Sequence, residues 1–101
     1  MELKVLCIGD IVGRPGRLAV AKLVPQLIES EKLDAVVANA ENIASGAGIT
    51  RALHDKLLAA GVNVLTLGDH IYRKPDFIGV LEHSPHVGKP ANLPRAAVGR
   101  E

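Results

Sequence analysis

Aromatic side chains are nearly absent. Tyr72 and Phe77 are the only two in 101 residues, and tryptophan does not occur. Proteins that hold single-stranded nucleic acid stack its bases on such rings, so that platform is missing. A basic field is missing too. Twelve Lys and Arg stand against eleven Asp and Glu, a formal net charge of +1, which argues against duplex nucleic acid as a partner. Cys7 is the single cysteine and excludes an internal disulfide. Set inside an apolar run, it is expected to be a buried, inert thiol. No stretch approaches the roughly 20 apolar residues that span a bilayer, and no charged start precedes a shorter one. The expected setting is the cytoplasm, with no membrane partner.

What remains is globular: 48% hydrophobic and 23% charged residues, in a length that allows one domain at most. "LKVLCIG" (3–9) reads as a strand buried on both faces, where continuous hydrophobicity replaces alternation. "DAVVANA" (34–40) and "VNVLTLG" (62–68) are the second and third strands. Pro15 and Gly16 break the chain after the first. From Arg17 to about Glu31, apolar residues recur at helical spacing, with Pro25 expected to kink or interrupt the helix. Thr50 caps a helix over 51–60 that Gly61 terminates. His54 falls off its apolar stripe and is expected at the surface. A weaker helical pattern, "PDFIGVLEH", follows Pro75, and the tail from Ser84 reads as loop with one short strand near Val87. Strand and helix in alternation mean right-handed βαβ units, a parallel α/β sheet flanked by helices.

The strand ends repeat one another. "GDIVG", "AENIASG" and "GDH" each close an apolar run with a carboxylate: Asp10, Glu41 and Asp69. In a parallel sheet these ends share the edge where ligands of α/β folds bind. Three acids gathered there raise each other's pKa unless a cation neutralises them. Asn42 and His70 add an amide oxygen and an imidazole, completing a donor set suited to hard or borderline divalent metals. The plain alternative is that Asp and Asn cap the following helices. For one acid alone that is the better reading; for three together, each with a polar neighbour, it is the weaker one.

"GDIVGRPGR", "AENIASGAGIT", "LTLGDH" and "KPANLP" together resemble the YmdB-type branch of the calcineurin-like metallophosphoesterases, in motif order and spacing, over essentially the whole chain. The resemblance implies a phosphodiesterase with two metal ions, iron or manganese foremost, that opens 2′,3′-cyclic nucleotides. By position, Asp10 and Asn42 would bind one metal, Asp69 the other, and Glu41 would bridge both. His70 would be the general acid that protonates the leaving oxygen.

Two departures accompany the resemblance. The branch has Asn where this chain has Asp69, which keeps an oxygen ligand but adds a charge. Relatives also draw further histidine ligands, including an H-x-H pair, from sequence beyond these motifs. This chain has only His54, His70, His83 and His86. Residues 1–101 therefore resemble the amino-terminal part of the domain, a partial catalytic unit. His83 and His86 read as solvated loop residues. Arg14, Arg17 and Arg73 are placed near the mouth of the site, where any of them would suit a phosphate.

Two other readings compete. Gly9, Gly13 and Gly16 suggest a phosphate-cradling turn and a non-catalytic nucleotide-binding module, although neither the dinucleotide nor the P-loop spacing is met. A structural remnant would instead self-associate through an open sheet edge, as a homo-oligomer.

Overall fold

The structure, a computed structural model, describes residues Met1–Glu101. In chain order the elements are β1 (Val5–Ile8), α1 (Gly13–Glu31), β2 (Ala35–Asn39), α2 (Arg51–Ala60), β3 (Val64–Thr66), a 3-10 turn (Pro75–Phe77) running into α3 (Ile78–His83), and β4 (Val87–Gly88). The four strands form one parallel sheet in the order β1-β2-β3-β4. Register pairs Val5 with Ala35, Val37 with Val64 and Thr66 with Gly88.

A sheet whose strands follow chain order, joined by crossovers of one hand, receives every helix on the same side. The core lies on that side: Val20 and Val24 of α1, Leu57 of α2 and Leu81 of α3 meet Val36 and Leu65 of the sheet. The opposite face is bare. Val5 is 48% exposed and Val64 40%, and Cys7, two residues along β1 from Val5, is exposed as well. The expectation of a first strand buried on both faces, with Cys7 inside, is therefore corrected. Continuous hydrophobicity marks a strand with two apolar faces; it does not supply the layer that covers the second.

Local signals are realised unevenly. The α2 boundaries are as expected. Thr50 Oγ1 accepts from the Leu53 N–H at 3.3 Å, and Gly61 closes the helix at φ 108°. Helix α1 starts four residues earlier than expected, with Pro15 in its first turn and Pro25 inside it without interruption. A first-turn proline costs little, because that N–H has no intrahelical partner anyway. His54 is a further correction. It is buried, its ring centroid lies 5.9 Å from that of Phe77, and its nitrogens reach Asp55 Oδ1 at 2.8 Å and Ser84 Oγ at 2.9 Å. Two polar partners let an imidazole occupy a core position. His83 and His86 are exposed, as expected, but His83 is the last residue of α3 rather than loop, and His86 Nδ1 donates to Asn63 O at 2.9 Å.

The tail is more ordered than a loop reading suggests. Lys89 is 6% exposed, and its ammonium donates to the carbonyls of Pro94, Arg95 and Ala97 at 2.8–3.3 Å. Gly88 bridges to Arg100, so the tail covers part of the β4 edge while β1 keeps its outer edge open. No helix is long and apolar enough to cross a membrane.

Candidate metal centre

The ladder continues past the strands into the loops that follow them. Ile11 N–H donates to Asn39 O at 3.2 Å and Ala40 N–H to Thr66 O at 2.9 Å, while Gly13 N–H reaches Asn42 O at 3.4 Å. Three loops are thereby held side by side at the C-terminal edge. Each then drives an isoleucine into the core: Ile11 after Asp10, Ile43 after Asn42 and Ile71 after His70, all 1–2% exposed. A buried residue pins the backbone, and the polar side chain before it is left to face the edge. The strand-end carboxylates alone do not reveal this. The polar-then-isoleucine recurrence, visible in the sequence, is the signal that separates these polar residues from ordinary loop positions.

Donor atoms of Glu41, Asp69 and His70 all lie within 4.8 Å of one another. His70 Nδ1 is 3.5 Å from Asp69 Oδ1 and 4.0 Å from Glu41 Oε2. The same nitrogen donates to Asn42 Oδ1 at 2.8 Å, and Asn42 Nδ2 donates to both oxygens of Asp10 at 3.1 Å. Asn42 is thus a bridge whose orientation is fixed at both ends, since only its nitrogen can face a carboxylate. All five expected residues meet at one edge. Glu41, Asp69 and His70 form the tight group, and Asp10 joins it through Asn42.

Gly68 explains how Glu41 reaches this place. Its carboxylate lies against the Gly68 backbone, in the volume that a β-carbon at residue 68 would fill. Only glycine leaves room for that carboxylate beside the third strand end. The loop carrying Glu41 closes on itself, with Gly48 N–H donating to Glu41 O and Gly46 N–H to Asn42 O at 2.9 Å. Arg17 secures it from α1, donating to Ile43 O at 3.0 Å.

Electrostatics at the cluster are those of gathered anions. The Glu41 carboxyl is held above its ordinary range, first by burial, then by a hydrogen bond with Asp69 and the negative charges of Asp69 and Asp10; His70 acts in the opposite sense. Two carboxylates within mutual reach, with an amide oxygen and a third carboxylate alongside, fit a hard or borderline cation, while the His70 imidazole, its Nδ1–H on Asn42, borders the group.

Other residues singled out in the sequence lie elsewhere. Arg14 and Arg17 line a recess between α1 and α2 whose walls include none of the five cluster residues. The Arg73 β-carbon packs against Gly48, next to the His70 carbonyl. Of the three glycines after β1, Gly13 bonds the Asn42 loop and Gly16 rests on Ile11, so two of them serve packing.

Known proteins resemble this chain over nearly its whole length. A 2′,3′-cyclic-nucleotide 2′-phosphodiesterase of Bacillus subtilis is 34% identical over 98 residues, covering 97% of this chain and 37% of that protein. The crystal structure of a hypothetical protein from Thermus thermophilus superposes with a TM-score of 0.87 at 35% identity, over 95% of this chain and 37% of that one. The crystal structure of a Mycoplasma pneumoniae phosphatase gives a TM-score of 0.87 at 30% identity, over 97% and 36%. The chain therefore spans little more than a third of these relatives' length. The sequence profile of the YmdB-like protein family matches residues 6–101, and the chain belongs to that family.

Proposed function

We propose that these residues form part of a metal-dependent phosphodiesterase centre that hydrolyses 2′,3′-cyclic nucleotides or related phosphodiesters. The carrying observation is the convergence of Glu41, Asp69 and His70 donor atoms within 4.8 Å, from two different loops. Relatives matched over nearly the whole chain are named for phosphodiesterase or phosphatase activity. Because the chain spans 37% of the Bacillus relative, the complete ligand set is assigned to this segment together with sequence of the kind its relatives carry beyond it.

Two metal ions, iron or manganese, would be held by Asp10, Glu41, Asn42 and Asp69. When bound, such ions polarise phosphoryl oxygens and bring water to ionisation near neutral pH. The chain's own residues do the rest. Glu41, lying between the second and third strand ends, would serve both ions. Asn42 holds Asp10 on one side and the His70 Nδ1–H on the other. That bond fixes the imidazole's orientation and leaves Nε2 directed away from Asn42, and this nitrogen would give a proton to a leaving alkoxide when the ring is charged. General acid transfer of this kind is worth about 10²–10⁴-fold in rate.

The test is metal content of the purified protein and hydrolysis of 2′,3′-cyclic AMP, with Asp10→Ala and His70→Ala variants. Metal loss in the first and rate loss with retained metal in the second support the assignment. Nucleotide binding that survives chelation, with no turnover, would establish a non-catalytic module instead.

A further inference from the structure

Away from the acid cluster, α1 and α2 leave a recess of about 340 Å³ between them, near the lower end of small-molecule sites at about 300–1,000 Å³. Its walls are apolar: Ala21 from α1, with Leu53, Leu57 and Ala60 from α2, and Leu18 at the mouth. Leu18 is 58% exposed. The only charged groups on the walls are Arg14, Arg17 and Lys56, and no carboxylate accompanies them. In a chain of twelve cations and eleven anions, three cations without one acid make a one-sided rim. None of the three has a carboxylate within 4.0 Å, since the ion pairs of the chain are Lys4–Glu31 and four involving histidine. Arg17 is half-buried and gives one Nη1 bond to Ile43 O, leaving most of its donor fork free.

We propose that this recess binds a small amphipathic carboxylate, its acyl body against the leucines and its single anionic head on the Arg14–Arg17–Lys56 rim. The chemistry selects that class. A cation is repelled by the rim. A peptide brings backbone N–H and C=O groups that the apolar walls cannot pair. A nucleotide carries more polar surface than the walls can satisfy. A carboxylate matches the guanidinium fork in a bidentate pair, and the volume limits the body to one short chain.

The site stands without the phosphodiesterase reading, but it is wired to the same loop. Arg17 holds the carbonyl of Ile43, and the preceding Asn42 bonds both Asp10 and His70. An anion that recruits the Arg17 guanidinium changes the hold on that loop.

Titration of the ¹⁵N-labelled chain with decanoate, decanol and decyltrimethylammonium tests this by amide shifts. Decanoate is expected to move Ala21, Leu53, Leu57 and Ala60, with secondary shifts at Asn42 and Ile43. Decanol and the ammonium probe should bind about tenfold more weakly or worse, the loss expected of one charge-assisted contact. The double variant Arg14→Glu/Lys56→Glu, at two exposed positions, should lose decanoate affinity to the same degree with unfolding unchanged. Equal binding of the three probes, no shifts, or shifts confined to Val5, Cys7, Val37 and Val64 on the bare sheet face overturn the site. Decanoate binding without movement of Asn42 and Ile43 overturns its link to the metal centre.

Discussion

Gly68→Ala isolates the geometric claim on which the metal centre rests. The added methyl would fall within the Glu41 carboxylate, overlapping both oxygens and the carboxyl carbon. Backbone movement at residue 68 is resisted, because Ile71 N–H donates to Gly68 O at 3.1 Å and Leu67 and Ile71 are buried on either side. The carboxylate must therefore move, by about 1 Å or more to regain van der Waals separation. Metal–ligand distances tolerate about ±0.2 Å, and a misplacement of about 1 Å at a reacting centre costs on the order of 10²-fold. Stability should change much less, within the roughly 1–3 kcal/mol of an overpacked site, since Glu41 can swing outward.

Two readouts separate the possibilities, and only one involves metal. The first is cation affinity by calorimetry, expected to fall by about 10–100-fold, as when the support of a metal ligand is lost. The second is the carboxyl ¹³C titration of Glu41 in the metal-free protein. Burial and the Asp69 and Asp10 charges now hold that group above its ordinary range. Displaced toward water in Gly68→Ala, it should titrate in the ordinary range. An unchanged Glu41 titration in a folded Gly68→Ala protein would show that the carboxylate does not occupy the space above Gly68, and the proposed role of this glycine would fail.

The same raised group sets a pH dependence. Folded protein holds the Glu41 proton more tightly than unfolded protein, so this carboxyl's contribution to stability is lost as pH rises from the ordinary carboxylate range through its raised value. Urea unfolding of metal-free wild type and Glu41→Gln should therefore agree at low pH and diverge above it, with Glu41→Gln the more stable; parallel curves would refute this. Arg17→Gln should raise hydrogen exchange of the amides from Asn42 to Gly48 without altering that of α3, because Arg17 holds Ile43 O; equal protection would show that the contact carries no restraint. Lys89→Met removes the donor to three carbonyls and should expose the peptide bonds after Pro90 to limited proteolysis, each orphaned group costing about 1–3 kcal/mol if it stays buried. Cys7, exposed on the bare sheet face, should react with a thiol reagent at full stoichiometry before unfolding. Protection that disappears on dilution would show copies of the chain covering one another's sheets.

What could be read in the sequence follows from the range of the forces involved. Helix α2 was legible at both ends because Thr50 and Gly61 act on their own neighbours within a turn. The meeting of Asp10, Glu41, Asn42, Asp69 and His70 at one edge was legible because parallel strands carry their C-terminal ends together, whatever lies around them. Burial was not. "LKVLCIG" and "VNVLTLG" are apolar on both faces, yet Val5, Cys7 and Val64 face outward, since whether a face is covered depends on groups remote in sequence or outside the chain. His54 failed in the opposite sense. Its place off the leucine stripe indicated water, and Ser84, thirty residues on, provides the partner that lets it be buried. Gly68 lies between these cases. A glycine before Asp69 reads as an ordinary strand terminator, and its use as the seat of the Glu41 carboxylate depends on β2 and β3 being neighbours in register, Asn39 beside Thr66. Given that register, the requirement follows: a side chain leaving the end of β2 toward β3 must cross residue 68, and only a residue without a β-carbon lets a carboxylate pass close enough to share a cation with Asp69.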